Sequence, residues 1–383
     1  MKPGVIGAAL ASLLLLGACS EAGQSGAELA VSTAPVFHAD GFPERLSDWN
    51  LMRIQQGELA LNDRVIPYDL NTPLFSDYAL KLRTVWLPEG EAAKFDPDKT
   101  FEFPIGTVIS KTFYYVSDTN NGNIKETEVT SVWSEDRIAL QNVRLIETRL
   151  LVRREQGWVA LPYVWNEDRS DAVLKRTGDA QRLTLTRADS SQEDFTYIVP
   201  NANQCAGCHA TNATTREIVP IGPKARHLNR DFTYPEGVKN QLEAWSAAGI
   251  LKGAPNHTQA PRNAVWDDLS ASLDSRARAY LDINCAHCHN RNGPADTSGL
   301  LLEHDAPLGP SLGLCKLPIA AGKGTGGRSF GIVPGEPAAS IFTYRMASTD
   351  PSIMMPELGR ALSHDEGVRL IEEWIAAMDG DCT

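Results

Sequence analysis

The spacing of apolar residues divides the chain near residue 195. Before that point, short segments are rich in β-branched and aromatic side chains, a composition typical of strands. In the last of these segments, Leu183 and Leu185 share one face and polar side chains share the other. The segments are 107–116, 144–154, 158–165 and 181–187. Residues 37–195 are therefore predicted to form a β-rich domain, either a sandwich or a partly open barrel.

One hairpin can be placed inside this domain. Gln156-Gly157 lies between two of the predicted strands and is typical of a hairpin turn. Residues 67–86 follow neither the strand period nor the helix period, so no element is predicted there.

Beyond residue 195, apolar residues recur at helical spacing. A helix is predicted over 238–251, with an apolar face made of Val238, Leu242, Trp245 and Ile250. A second helix runs into Cys285, and its apolar stripe consists of Leu273, Ala277, Tyr280 and Leu281. Ser363 and Glu366 have the spacing of a capping box and open a closing helix. These patterns predict two mainly α-helical modules, 196–262 and 263–383, and hence a multidomain α+β fold.

The first residues are predicted to direct export. A basic start is followed at 5–16 by an apolar run that is too short to span a bilayer as a mature helix, and residues 1–18 are predicted to be a signal peptide. The tetrapeptide at 16–19 resembles the bacterial lipobox, so Cys19 is the expected site of acylation, and Ser20 after it suggests passage to the outer membrane. An ordinary export signal or an uncleaved anchor is the alternative.

Composition and charge limit the class of partner. The chain of 383 residues is 42% hydrophobic and 22% charged, the balance of an ordinary globular protein, and its formal net charge is -12. An acidic chain argues against nucleic-acid binding and favours basic or neutral protein partners. Residues 19–36 are rich in small residues and are predicted to be a flexible tether between lipid and domain.

The pattern Cys-x-x-Cys-His occurs twice, at residues 205–209 and 285–289. It is the attachment pattern of c-type haem, in which two thiols form thioethers with the porphyrin and the adjacent imidazole ligates iron. Two covalently bound haem c groups are therefore predicted. The residues expected to hold them are Cys205, Cys208 and His209, and Cys285, Cys288 and His289. The alternatives are thiol pairs that cycle as disulfides, or zinc bound by the pooled side chains of both pentapeptides, which is less expected in an exported chain.

The second site has a candidate for the sixth iron ligand. Met354-Met355-Pro356 follows the pentapeptide and resembles the distal methionine loop of class I cytochromes c, so Met355 is the expected ligand and residues 263–383 are expected to be class I-like. A thioether ligand raises the reduction potential relative to two histidines. Met354 or Met346 as the ligand, or Met355 as a core residue only, are the alternatives.

The first site has no methionine of its own, because none occurs between the two pentapeptides. His227 is the nearest candidate for its sixth ligand, followed by His257. A ligand from elsewhere, such as Met346, or an open position are the alternatives. His287, between the cysteines of the second motif, is expected to face solvent.

The seven cysteines can be assigned one by one. Acylation and haem attachment leave Cys315 and Cys382. In an oxidising compartment these two are expected to form a disulfide. Two free buried thiols are the alternative, because spacing in sequence does not report distance in space.

Many stretches of the chain together resemble a family of exported bacterial diheme c-type cytochromes, many of them lipoproteins. The stretches are 147–153, 157–168, 170–172, 203–209, 221–226, 240–242, 278–281, 285–289, 333–337, 345–346 and 355–356. The resemblance implies a β-rich half followed by two cytochrome c-like modules. Similar cytochrome segments occur attached to quinoprotein sugar dehydrogenases, where they would accept electrons from the catalytic domain.

These observations predict an electron carrier with no catalytic residues. It would be a membrane-tethered diheme cytochrome that passes single electrons between periplasmic or cell-surface partners, such as a dehydrogenase or another cytochrome. A diheme peroxidase or small-molecule oxidase with an open first site is the alternative, and an adhesion or assembly lipoprotein with structural haems is a third hypothesis. The expected location is the outer membrane, facing the periplasm or the cell surface.

Overall fold

The structure is a computed structural model that describes residues 33–117, 122–127, 133–134, 137–319 and 321–382, together with residues 1 and 4. Cys19, the rest of the predicted signal peptide and residues 20–32 of the predicted tether lie outside the described residues. Thr33–Thr383 form one compact unit.

Seventeen strands lie within the described residues. They are β1 Met52–Gln55, β2 Glu58–Leu61, β3 Ile66–Tyr68, β4 Leu80–Trp86, β5 Ala93–Lys94, β6 Val108–Ser117, β7 Ile124–Lys125, β8 Trp133–Ser134, β9 Arg137–Ala139, β10 Val143–Arg154, β11 Gly157–Trp165, β12 Ala172–Leu174, β13 Asp179–Thr186, β14 Gln192–Val199, β15 Asp231–Tyr234, β16 Gly237–Asn240 and β17 Leu251–Lys252. The four predicted strand segments correspond to β6, β10, β11 and β13 and are confirmed.

Six α-helices lie in the same part of the chain. They are α1 Ala202–His209, α2 Ala225–Leu228, α3 Gln241–Ala247, α4 Leu273–Asn284, α5 Ile341–Ala347 and α6 Asp365–Ala376. Short 3-10 helices occur at Leu46–Trp49, Leu140–Asn142, His257–Gln259, Asp296–Ser298, Pro310–Leu312, Gly322–Thr325 and Pro337–Ala339. Among the helices described, none is long and apolar enough to span a bilayer.

The prediction of two mainly α-helical modules is wrong. Strands make up 28% of the described residues and helices 22%, and the chain after residue 195 contains three further strands and long loops. The helix predicted over 238–251 shows why. Gly237 has a φ of 112° at the turn from β15 into β16, and Val238 on β16 is 67% exposed. The side chain of Asn240 accepts a hydrogen bond from Leu242 N and starts α3 at Gln241. Turn and cap chemistry therefore override the apolar spacing.

The predicted capping box of the closing helix is also wrong. The N-cap of α6 is His364, and no side chain caps the helix. Ser363 Oγ is buried without a hydrogen-bond partner. The Glu366 carboxylate instead accepts a hydrogen bond of 3.0 Å from the Tyr78 hydroxyl, so a contact distant in sequence replaces the local one.

The largest sheet has nine strands in the order β12-β11-β10-β6-β7-β13-β14, with β4 also paired to β6 and β3 paired to β4. Arg154 pairs with Gly157 across the hairpin predicted at Gln156-Gly157. A second sheet has the order β1-β2-β9-β8. One face of the large sheet packs against this second sheet, since side chains of both lie in one buried apolar cluster that includes Leu59, Ile138, Leu150 and Val152.

The other face of the large sheet shares a core with the chain after residue 195. Val85 and Ile109 on the sheet cluster with Leu242 and Trp245 of α3 and with Ile283 of α4. β17 also pairs in parallel with β5. The predicted boundary at 195–196 therefore runs through a common core, and the regions on its two sides depend on each other for burial.

The loop at 69–79, which falls within the segment that resisted prediction, fastens the later parts of the chain to the sheet. Asn71 N donates to the His227 carbonyl at 2.9 Å, and Phe75 N donates to Asn284 Oδ1 at 2.8 Å. Asp77 Oδ1 accepts hydrogen bonds from the backbone N–H groups of residues 361 and 362, at 2.7 and 2.8 Å. Burial raises the pKa of Asp77 to about 6, against the lowering effect of these two N–H groups.

A buried ion pair joins α2 to α4. Arg226 Nε and Nη2 donate to the two carboxylate oxygens of Asp282 at 2.7 and 3.1 Å, and Asn263 Nδ2 donates to Asp282 Oδ2 at 2.9 Å. Both charged side chains are almost fully buried. Burial disfavours the Asp282 carboxylate, but the bond from Arg226 and the neighbouring His227 hold its pKa well below the usual range.

We predict that Asp282→Asn lowers the free energy of unfolding by about 3–5 kcal/mol, because it leaves the Arg226 charge buried without a counter-ion. Chemical denaturation followed by tryptophan fluorescence measures the loss. The control is Glu58→Gln, which breaks the exposed pair of Glu58 with Arg137 and should cost about 0–1 kcal/mol. Equal losses in the two variants would show that the buried pair has no special role.

A second prediction concerns pH and Asp77. Because the folded-state pKa is raised, the stabilising contribution of this group is fully present below the ordinary aspartate pKa and is lost as pH rises through about 6. Asp77→Asn keeps the Oδ1 acceptor and removes the ionisation, so its stability relative to the native chain should rise by on the order of 1–3 kcal/mol between pH 4 and 7. Denaturation at several pH values measures this, with exposed Asp98→Asn as control. A difference independent of pH would contradict the prediction.

Candidate functional site

Both Cys-x-x-Cys-His pentapeptides line one cavity of about 1080 Å³. This volume slightly exceeds the range of about 300–1,000 Å³ that is usual for a pocket holding one small ligand. The side chains from the two motifs that line it are Cys205, Cys208, His209, Cys285, His287, Cys288 and His289. The two motifs are far apart in sequence, so the fold brings the two predicted attachment sites together.

The first pentapeptide lies on α1. Asn201 and Gln204 cap this helix reciprocally, which fixes the start of the turn that carries the cysteines. His209 Nδ1 donates to the Val219 carbonyl at 2.8 Å, because a carbonyl oxygen can only accept. Nε2 is therefore the nitrogen left for a ligand bond. Burial, together with the Lys111 charge, lowers the pKa of His209 to about 3, so the imidazole is neutral.

The second pentapeptide follows α4, with Cys285 as the C-cap of that helix. His289 Nδ1 lies 3.2 Å from Ser298 Oγ, and that hydroxyl donates its own proton to the Ala295 carbonyl at 2.7 Å. The imidazole nitrogen is thus the donor to the serine, and Nε2 is again the nitrogen left for a ligand bond. Burial and the Arg345 charge lower the pKa of His289 to about 4.

The loops of the two motifs are in contact. Cys288 Sγ lies 3.5 Å from the Gly207 carbonyl oxygen. Just after the motifs, Ala213 N donates to the Asn292 carbonyl at 2.7 Å. The two motifs are therefore held against each other by backbone and side-chain contacts, and both cysteine pairs open onto the same cavity.

The expectation that His287 faces solvent is wrong. This side chain is 7% exposed and lines the cavity. Its Nδ1 has no hydrogen-bond partner. Contact between the two motif loops encloses it, and sequence spacing carried no information on that contact.

Met346, Met354 and Met355 all line the cavity. Met355 N donates to the Arg345 carbonyl at 3.0 Å, and the Met355 carbonyl accepts from Arg360 Nη2 at 2.9 Å. The same guanidinium group donates to the carbonyls of residues 345, 346, 348 and 362. Arg360 therefore fixes the backbone at both Met346 and Met355. No sequence motif predicts this role.

His227 does not line this cavity. It is buried on α2, and its Nε2 lies 3.4 Å from Asp282 Oδ2 in the buried ion-pair network. His257, the second candidate, lies with its Nδ1 2.5 Å from Glu243 Oε1 and is also absent from the cavity wall. The structure does not bring either histidine to the first pentapeptide's cavity.

One wall of the cavity is the face of the large sheet that points away from the second sheet. Arg83 on β4, Lys111 on β6 and Arg149 on β10 line it. Arg149 donates to both carboxylate oxygens of Glu147, at 2.8 and 2.5 Å, and Arg83 donates to Asp69 at 2.6 Å. Burial, followed by the charges of Arg149 and Arg83, lowers the pKa of Lys111 to about 7.

Sequence reasoning missed these cations, although a signal was present. Strand alternation puts Lys111 on the same face as Ile109 and Phe113, which are buried. A charged residue at a core-facing position of a strand is uncommon and indicates a partner or a ligand. The strand was predicted correctly, but Lys111, the charged residue on its apolar face, was not identified as a candidate site residue.

Cys315 and Cys382 form a disulfide, with an S–S distance of 2.13 Å. Cys205, Cys208, Cys285 and Cys288 are free thiols.

The free thiols, the two imidazoles with Nε2 left for a ligand and the methionine sulfurs around one large cavity are a donor set that fits two covalently attached haem groups. In the described ranges, no group of three or more His, Cys, Asp or Glu side chains is arranged to hold a metal ion directly. No protein-family model, curated protein or solved structure matches the chain.

Proposed function

We propose that this protein is a diheme c-type cytochrome that carries single electrons between redox proteins. The observation that carries the proposal is the meeting of two Cys-x-x-Cys-His motifs in one cavity, with Cys288 Sγ 3.5 Å from the Gly207 carbonyl. Two attachment sites in contact suit a relay, because electron transfer needs the two redox groups to be close and fixed. The resemblance of many stretches to exported diheme cytochromes supports the same function.

The chain's own residues would hold and tune the two groups. The thiols of each motif would form the thioether bonds, and the Nε2 atoms of His209 and His289 would ligate iron. When bound, haem c supplies a one-electron iron couple. Val219 and Ser298 keep each imidazole in the tautomer that presents Nε2, since their oxygens accept from Nδ1–H.

Met355 remains the proposed sixth ligand of the second site. Its sulfur belongs to a segment that Arg360 and Arg345 fix through backbone hydrogen bonds, and this reduces the reorganisation that accompanies a change of charge. The first site must take its sixth ligand from another cavity side chain or have none, because His227 lies in the ion-pair network with Asp282.

The proposed setting is the outer membrane, through lipid on Cys19, with the described domain facing the periplasm or the cell surface. With a formal net charge of -12, the chain suits basic or neutral redox partners, such as a dehydrogenase or another cytochrome. The large sheet would then serve as a wall of the redox site as well as a scaffold.

The test of this proposal begins with haem content. The protein purified from a host that matures c-type cytochromes should contain two covalent haem groups per chain by the pyridine haemochrome assay and mass spectrometry. Each of two control variants, Cys205→Ser with Cys208→Ser and Cys285→Ser with Cys288→Ser, should retain one. Absence of covalent haem would refute the proposal.

The relay itself is tested by electron exchange. After rapid photochemical reduction, electrons should equilibrate between the two groups at a rate independent of protein concentration, because the motifs are in contact within one chain. A rate proportional to concentration would contradict an internal relay. Carbon monoxide binding to the reduced protein would favour the peroxidase or oxidase alternative.

We predict that Met355→Ala lowers the potential of the second group, because a soft thioether stabilises the reduced state. Arg360→Lys should keep Met355 as the ligand but fix its segment less firmly. Backbone carbonyls would lose a buried hydrogen-bond donor, at a cost of about 1–3 kcal/mol each. The methionine-to-iron charge-transfer band should then disappear at a lower denaturant concentration than in the native protein. Exposed Arg369→Lys on α6 is the matched control. An unchanged potential and band in Met355→Ala would exclude Met355 as the ligand.

A further inference from the structure

Three cations stand side by side on the cavity face of the large sheet. The strand register pairs Arg83 directly with Lys111 and Lys111 directly with Arg149. Like charges directly opposite each other on neighbouring strands destabilise a sheet. All three side chains line the cavity that both Cys-x-x-Cys-His motifs share.

Protein carboxylates balance only the outer two cations. Asp69 accepts from Arg83 at 2.6 Å, and Glu147, which is fully buried, accepts twice from Arg149. Lys111 makes no hydrogen bond or ion pair with any residue in the described part of the chain; its Nζ lies 5.0 Å from the centre of the Phe113 ring. Asp69 is also shared with Arg230 at 3.4 Å, so the cations at this wall outnumber their carboxylates, and Lys111, the central one, has none.

Lys111 is partly buried, and a charge that leaves water without a counter-ion is unfavourable, which is why burial lowers the pKa of Lys111 to about 7. Two other cations directly beside it on the neighbouring strands add to that cost. The arrangement is physically reasonable if the cavity receives an anion that meets Lys111 between the two arginines. A carboxylate suits this position, because Lys111 offers an ammonium group without a partner and each arginine keeps N–H groups that Asp69 and Glu147 do not use.

The three cations, Arg83, Lys111 and Arg149, are called the row, and its charges act mainly on the first motif. The charges of Arg149 and Lys111 act on the thiols of Cys205 and Cys208 and on His209. In the second motif Lys111 acts on His287, while Arg360 acts on Cys285 and Arg345 acts on His289. An anion held by the row is therefore part of whatever group the first motif binds.

We propose that Arg83, Lys111 and Arg149 form a carboxylate site for a propionate of the haem attached at Cys205 and Cys208. The inference rests on the proposed function, and it assigns the β-rich half a binding role that its strand pattern alone did not indicate. One propionate supplies the charge that the row lacks. The positive charge of Lys111 would raise the reduction potential of that haem, because nearby positive charge favours the reduced state.

The test compares Lys111→Met with Lys111→Arg in the full mature protein. Lys252→Met, at an exposed position on β17, is the control for loss of one lysine. In Lys111→Met the reduced-to-oxidised ratio of one haem should fall about tenfold at a fixed ambient potential, equivalent to about 59 mV for a one-electron couple. The propionate bending mode in the resonance Raman spectrum should shift. Lys111→Arg and Lys252→Met should leave both close to the native values.

The outcomes separate this inference from the function on which it rests. If the native protein carries no covalent haem, the proposed function fails. If two haems are present but Lys111→Met changes neither the potential nor the propionate mode, the carboxylate site is wrong while the cytochrome assignment stands. A low-spin to high-spin conversion in Lys111→Met would also overturn the site, because it would make Lys111 an iron ligand. The Cys285→Ser, Cys288→Ser variant, which retains only the first haem, assigns the shift to that group.

Discussion

The hydrogen bonds of the loop at 69–79 hold the cavity together. This loop joins β3 to β4 and bonds in turn to α2 through Asn71, to α4 through Phe75 and to the segment before α6 through Asp77. Of these later segments, α4 and the segment before α6 line the cavity. Without these hydrogen bonds, α2, α4 and the segment before α6 would lose their polar attachments to the loop that joins two strands of the large sheet.

Parts of this arrangement follow from sequence and others do not. Strands such as β6 and β10 were predictable because β-branched and aromatic residues and the two-residue period act locally. The prediction of two helical modules failed where Gly237 and Asn240 decided the backbone, and the capping box failed because Tyr78 takes the Glu366 carboxylate. The loop at 69–79 resisted prediction since its partners are distant in sequence.

The candidate site also has parts that the sequence predicts and parts that it does not. The cysteines and histidines were identifiable because thioether attachment needs them at one spacing. Their meeting in one cavity depends on packing between segments, which no spacing encodes. Lys111 and Arg149 lay on strands that were placed correctly, but only the register across β4, β6 and β10 puts their charges in line with Arg83. His227 is the opposite case. Its imidazole is of a type that can ligate iron, but the fold places it beside Asp282 in the buried ion-pair network.

The contact between Cys288 and the Gly207 carbonyl has a kinetic consequence. Many multi-site carriers depend on hinge motion, so that transfer waits for two bodies to approach. Here the two attachment loops touch, and α4, which leads into the second loop, shares a core with the large sheet through Ile283, so the separation of whatever the loops bind is set when the chain folds. Passage of an electron between the sites would then be governed by the energies of the two sites, and conformational sampling would not gate it. The rate of electron transfer through the protein would then be controlled at the surfaces where redox partners dock.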